Sequence, residues 1–249
     1  MSAFLSATVV NGVATVTFTR PDKGNAYEAG MLRGLCDAAA RAAEDASVRA
    51  VVLRGEGRHF CTGADIAAGE GSGPTIVDVC SQLDTLAKPT IAVVQGACIG
   101  GGMALAACCD IVIAERDAFF AMPEVRLGFS AGPLIPFVLN AIGYRQARRL
   151  LVTGERFSAE DAWRIGLAHV LCETGKADAA LRAALTELLQ AAPGAAAITK
   201  ALTRRSAGES VTPALRDELQ REFRIVVASD EAQEGRAAFR EKRAPRWKP

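Results

Sequence analysis

Apolar and polar residues alternate with a period of two over the first twenty positions, then change to a period near 3.6. Val9 and Val10 lead into Asn11-Gly12 and then Val13, Val16 and Phe18, the pattern of a hairpin whose tight turn accepts positive φ angles. Arg20-Pro21 closes it. After the loop DKGNAY, Met31, Leu32, Leu35, Ala39 and Ala42 recur at helical spacing and predict an amphipathic helix from Glu28 to about Asp45. Ala50 to Leu53 reads as a buried strand. The stretch GEGRHFCTGADIAAGEGSGPT then carries six glycines and no helical period, and loops of that length tend to be functional or mobile. Ile76, Val79, Cys80, Leu83 and Leu86 mark the next helix.

The chain's longest uncharged run follows. Pro89 to Cys109, PTIAVVQGACIGGGMALAACC, has 21 residues and no Asp, Glu, Lys, Arg or His. A membrane span needs about 20 apolar residues, but Pro89, Gln95 and three successive glycines divide this one. Thr90 to Val94 is β-branched enough for a buried strand, Gly100, Gly101 and Gly102 make a sharp turn, and Gly102 to Cys109 restarts as a helix of small residues. A helix that begins on glycines leaves backbone N–H groups free and bare of side chains, a setting that suits an anion or an oxygen that becomes one. Ile111 to Ala114 is another strand and Phe119-Phe120-Ala121 a short one. Beyond them Leu181, Leu185, Leu188 and Leu189 mark one helix, Leu215, Leu219, Phe223 and Val226 a second, and Ser229-Asp230-Glu231 caps a third. Strand and helix alternate through the first half, which gives an α/β core over residues 1–190, and a helical region over 191–249 whose apolar stripes suit a subunit interface. No sequence repeat is detectable.

Composition removes several classes of function. Of 249 residues half are hydrophobic, the net charge is +1 and only His59 and His169 are histidines. No basic face points to nucleic acid, although Arg240 to Lys248 sets five basic side chains against Glu241. The seven cysteines form an odd set without a C-x-x-C pair or a secretory pattern, so a reducing, cytoplasmic setting is expected, with no metal and no membrane partner. Neither G-x-G-x-x-G nor G-x-x-x-x-G-K-[ST] occurs. Gly128-Phe129-Ser130-Ala131-Gly132 matches the nucleophile elbow of serine hydrolases, but the acids before His169, namely Glu155, Glu160 and Asp161, cluster in one predicted helix, and Pro133 and Pro136 stand where the elbow helix would begin.

More weight falls on two separated backbone turns and one carboxylate: His59 to Ile66, Ile99 to Gly102, and Pro123-Glu124. FCTGADI, GACIGGGMALAACCDIVIA, FAMPEVRLGFS and RRLLVTGERFSAEDAWRIGLAHVL, in this order, resemble the crotonase superfamily, the enoyl-CoA hydratase/isomerase enzymes. The likeness runs from Arg20-Pro21 and Asn25-Ala26 to the tail EKRAPRW. It implies a spiral of ββα units with a helical C-terminal region that forms a homotrimer, often doubled to a hexamer, and an acyl-CoA thioester as substrate. Coenzyme A then arrives with the substrate, and no separate cofactor is implied. By the same resemblance the N–H groups of Ala64 and Gly101 form an oxyanion hole on the thioester oxygen. Coenzyme A lies along Lys23, Gly24 and the backbone of Ala64, Asp65 and Ile66, and Trp247 packs near the adenine from a neighbouring subunit. The plainer alternative for Trp247 is that it anchors the tail to its own subunit.

One departure from the family pattern limits the chemistry. Hydratases of this family use two glutamates; Glu124 occupies the later position, but the earlier one is Ala104, which can neither accept nor donate a proton. Two reactions survive. Glu124 alone can shift a proton between C2 and C4 of an enoyl-CoA, an isomerisation, or it can hold a water and pass its proton to C2 while hydroxide adds at C3. The stretch PEVRLGFSAGPLIPFVLNAIG resembles a bacterial branch that hydrates branched glutaconyl-type thioesters with a lone glutamate and favours hydration. A third class, an inactive CoA-binding module, stays open. Asp65 is expected to brace the glycine loop and Asp110 to begin a strand, neither carrying the proton.

Overall fold

A computed structural model describes residues 3–69 and 71–248. Among these residues nine strands and nine helices follow one another, and the chain forms two compact units, 1–182 and 183–249. The opening hairpin pairs β1 (Leu5–Val10) with β2 (Val13–Phe18), and its turn residues Asn11 and Gly12 both take positive φ, 50° and 76°. Helix α1 (Ala29–Glu44) starts at Glu28, whose carboxylate accepts from the N–H groups of Gly30 and Met31 and so satisfies donors a helix start leaves open. Met31, Leu32, Leu35 and Ala39 line its buried face.

After α1 the chain repeats a strand, a shorter strand and a helix. Strand β3 (Ala50–Gly55) leads through the glycine loop to α2 (Ile76–Thr85); β4 (Thr90–Val94) and β5 (Ala97–Ile99) lead to α3 (Gly101–Ala107); β6 (Ile111–Glu115) and β7 (Phe119–Ala121) lead to α4 (Ile135–Thr153). Then come β8 (Phe157–Ser158), α5 (Ala159–Arg164), β9 (Val170–Cys172) and α6 (Ala177–Leu188), the last crossing the division between the units.

The larger sheet has the order β1-β2-β3-β4-β6-β9 and is parallel after the first pair. Its central strands, AVVLRG, TIAVV and IVIAE, are apolar almost throughout and almost wholly buried, as strands covered on both faces must be. The smaller sheet, β5-β7-β8, is extended by a parallel bridge between Cys61 and Cys98. Phe18, Phe60, Phe120, Met31, Met103 and Leu105 are the bulk of the core, each contributing about 1.5–3 kcal/mol by leaving water. The ββα spiral is therefore present in the fold although no repeat is visible in the residues. Strand β5 is the element that the glycine-turn reading of the uncharged run passed over.

The second unit carries α7 (Pro193–Ser206), α8 (Pro213–Ala228) and α9 (Asp230–Glu241), the last capped by Ser229 as its sequence predicts. Buried Glu234 on α9 pairs with Arg243 at 2.6 Å and Arg246 at 3.2 Å, so part of the basic tail is neutralised within the fold. The Arg243 guanidinium in particular holds the Glu234 carboxyl down to about 2. Among the described residues no helix is long and apolar enough to cross a membrane.

Candidate active site

Three neighbouring segments of the smaller sheet end at one edge, and each delivers one motif. Cys61 bridges Cys98, and Ile99 pairs with Ala121, so the turns that follow Cys61, Ile99 and Ala121 are brought side by side by register alone. The bonds are short and regular: Ile99 N–H donates to Cys61 O at 2.9 Å and Gly100 N–H to Ala121 O at 2.8 Å. Carboxyl ends of adjacent parallel strands are where α/β proteins place ligands.

The turns touch through glycines. Gly63 sits with φ +97°, and a Cβ there would stand 3.2 Å from the Ile99 carbonyl. Gly100 has φ +56°, and a Cβ on it would lie 2.9 Å from Glu124 Oε1 and 3.9 Å from Gly63 Cα. Any other residue at position 100 would meet both a backbone conformation that disfavours side chains and the carboxylate itself. Ala64, Gly101 and Glu124, chosen from sequence on separate motifs, therefore converge on one spot. The N–H groups of Ala64 and Gly101 donate to no described residue; Gly101 opens α3 and has no acceptor one turn back.

Glu124 stands in a 3-10 turn, Pro123–Leu127, that ends at the left-handed Gly128. Its carboxylate is half-buried, and Oε2 is out of contact with solvent and without a hydrogen-bond partner. Burial raises its pKa above the usual glutamate value, offset only in part by its own backbone N–H. A carboxyl held this way keeps its proton to a higher pH than an exposed glutamate does. Ala104, one turn into α3, is fully buried and contributes a methyl group alone.

The expected coenzyme A contacts occupy the flanking loop. Lys23 ends a 3-10 turn, Gly24 follows in the left-handed region, and the Gly24 carbonyl accepts from Thr62 N–H at 3.1 Å, tying this loop to the Ala64 turn. Ile66 is 75% exposed. Asp65 braces the loop: it pairs with Arg20 at 2.7 Å and accepts from Ala67 N–H, and the Arg20 guanidinium lowers its carboxyl pKa. Asn25, fully buried, donates to the Glu56 and His59 carbonyls and accepts from Arg20 N–H, which fixes the same loop from below. Trp247 lies in the second unit, where its Nε1–H donates to Gln190 O at 3.0 Å and its ring meets Gly235 of α9.

Other candidates have structural employment. Asp110 accepts from the N–H and hydroxyl of Thr90, and the Nδ1 atoms of His59 and His169 accept from Ala97 and Val112 N–H. Ser130 is exposed, follows a 3-10 turn rather than a strand, and its Oγ accepts from Gly132 N–H. Glu155 lies between α4 and β8, outside the helix expected to hold it, and pairs with Arg149. Among the described residues no three His, Cys, Asp or Glu side chains group to hold a metal ion.

Tyr27 is the site neighbour that the sequence reading did not single out. Its N–H donates to Gly63 O and its carbonyl accepts from Asp65 N–H, both at 2.9 Å, so it brackets Ala64. Its ring and hydroxyl fill the space where a Gly101 side chain would be. The only sequence signal was a large polar-tipped residue directly after Asn25-Ala26 in a tight loop.

Comparison with known proteins gives the family. The family model described as enoyl-CoA hydratase/isomerase matches residues 8–249. A putative enoyl-CoA hydratase of Thermus thermophilus is 31% identical over 253 residues, covering 94% of this chain and 97% of that protein. The solved structure of Pseudomonas aeruginosa AtuE superposes with a TM-score of 0.93 at 35% identity, covering 99% of this chain and all of that one. An enoyl-CoA hydratase/isomerase from Marinobacter aquaeolei gives 0.90 at 34%, covering 98% of each chain. The chain belongs to the enoyl-CoA hydratase/isomerase family, the crotonase superfamily, and has its α/β fold of ββα units followed by a helical C-terminal region.

Proposed function

We propose that this protein hydrates a 2-enoyl-CoA with Glu124 as its only carboxylate. The observation that carries the reading is the unpartnered, buried Oε2 of Glu124 beside two turns whose N–H groups are free. Ionised Glu124 accepts a proton from water as the water oxygen adds to C3. Charge gathers on the thioester oxygen as the enolate forms, and the N–H groups of Ala64 and Gly101 stabilise it; losing one such donor typically costs about 3–4 kcal/mol of barrier. Glu124 then passes the proton to C2, which restores both the carbonyl and the carboxylate. Lys23, Gly24, Ala64, Asp65 and Ile66 hold the coenzyme A moiety, and Trp247 of a neighbouring subunit meets the adenine in a homotrimer or a dimer of trimers. The seven cysteines form no disulfide, which supports a reducing cytoplasm.

The buried methyl of Ala104 favours one alternative, an isomerase, since a 1,3-proton shift needs a single carboxylate. The ultraviolet absorbance of a conjugated enoyl thioester separates the two. Loss of absorbance from a 2-enoyl-CoA means hydration, and gain from a 3-enoyl-CoA means isomerisation. Glu124→Gln is expected to slow the reaction roughly 100- to 10,000-fold. Binding of enoyl-CoA without turnover, unaltered by that substitution, would instead make the protein an inactive CoA-binding module.

A further inference from the structure

We propose that the phenolic O–H of Tyr27 is a third hydrogen-bond donor to the thioester oxygen, acting with the N–H groups of Ala64 and Gly101. The inference rests on the placement of that oxygen argued above. Three observations carry it.

Tyr27 is 9% exposed, and no hydrogen bond from a described residue reaches its hydroxyl. The residue is mostly packed away, yet its oxygen is not among the side-chain atoms sealed from solvent, so the O–H is open to a partner supplied by a ligand. The backbone of Tyr27 is clamped on both sides of Ala64, so its side chain cannot drift from that turn. The hydroxyl itself lies well inside contact distance of the position a Gly101 Cβ would take, with Cε1 and Cζ each 2.8 Å from that position.

Direction decides what the hydroxyl meets. At the first residue of a helix both the N–H bond and the Cα–Cβ vector lean toward the N-terminal end. A group standing where the Gly101 side chain would be is therefore on the same side as the Gly101 N–H, and beside any oxygen that N–H holds. Glycine at 101 is what makes room for it. Burial raises the phenol pKa far above its usual value, so the group stays a neutral donor and takes no part in moving the proton.

The test is Tyr27→Phe, which removes only the unpartnered oxygen. Turnover of a 2-enoyl-CoA should fall roughly 10- to 100-fold in kcat/KM, with the acid limb of the pH profile unmoved because that belongs to Glu124. A slowly reacting conjugated aryl-enoyl-CoA gives a readout that a packing role would not move. Its absorbance shifts to longer wavelength when its carbonyl oxygen accepts hydrogen bonds, and the shift on binding should be smaller in the variant at unchanged thermal stability. A full wild-type shift in the variant, with kcat/KM within about twofold, overturns the inference alone. Absence of any shift in the wild-type protein overturns the oxyanion placement as well.

Discussion

Glu124 is held against the solvation that a carboxylate prefers. One oxygen is buried and orphaned, the other faces the space a Gly100 side chain would fill, and among the described residues no basic side chain pairs with either. Desolvation favours the neutral acid, so the carboxyl is protonated to a higher pH than an exposed glutamate. Since the proposed reaction starts from the ionised form, kcat/KM should rise with pH through this raised pKa and then level off. The acid limb is expected above the ordinary glutamate value of 4.5, and a limb at or below that value would show that Glu124 does not set the rate. By composition alone Glu124 is one carboxylate among 28 acidic residues, and only its place in the third motif marks it. Its placement rests on the close approach of Gly100 and on the 3-10 turn, which no local spacing encodes. Tyr27 was less legible still, because its contact with Gly101 spans 74 positions and comes from pairing with the Ala64 turn.

At the scale of elements, periodicity carried the long pieces. Amphipathic α1 and α2 and the hairpin show their period directly, and the buried runs of β3, β4 and β6 are told from helix by their short length and β-branched residues. Strand β5, Ala97-Cys98-Ile99, lacks the aromatic pair that marks β7 and sits inside a longer apolar run, and its existence follows from pairing with β7 and the bridge to Cys61. That pairing is what aligns the three functional turns. Gly102 is the point at which α3 meets it: a Cβ there would come 2.5 Å from the Cys61 carbonyl and 2.9 Å from its Cβ. Backbone oxygen cannot yield as a side-chain tip can. Gly102→Ala should therefore push α3 off the Cys61 segment and destabilise the protein by about 1–3 kcal/mol, read as a lower urea midpoint, with activity falling as the turns lose register. An unchanged midpoint would mean that α3 is free to slide, and that strand-to-helix contact does not set the site.

For the whole molecule the helical region poses a separate question, because its apolar stripes exceed what its own packing buries. On α8 the sequence stripe begins with buried Leu215 and includes Phe223 at 61% exposure; Ile225 on another side of the helix is 60% exposed and Phe239 on α9 is 86% exposed. Single exposed apolar residues need no explanation, but three large ones on adjacent elements of one compact unit suit an interface. Exposing them costs free energy that a subunit contact recovers, and closed symmetric assembly is the usual outcome. These exposed residues support the proposed assembly, which carries a consequence for activity, since the proposal places Trp247 against a neighbour's adenine. Light scattering coupled to size exclusion should give an assembly of three or six chains for the wild type. Phe223→Asp with Phe239→Asp should give monomers that keep their helical circular dichroism but bind coenzyme A thioesters more weakly. A wild-type monomer with full activity would remove both the trimer and the shared adenine contact, and would leave Trp247 with the role its bond to Gln190 already describes, anchoring the tail of its own chain.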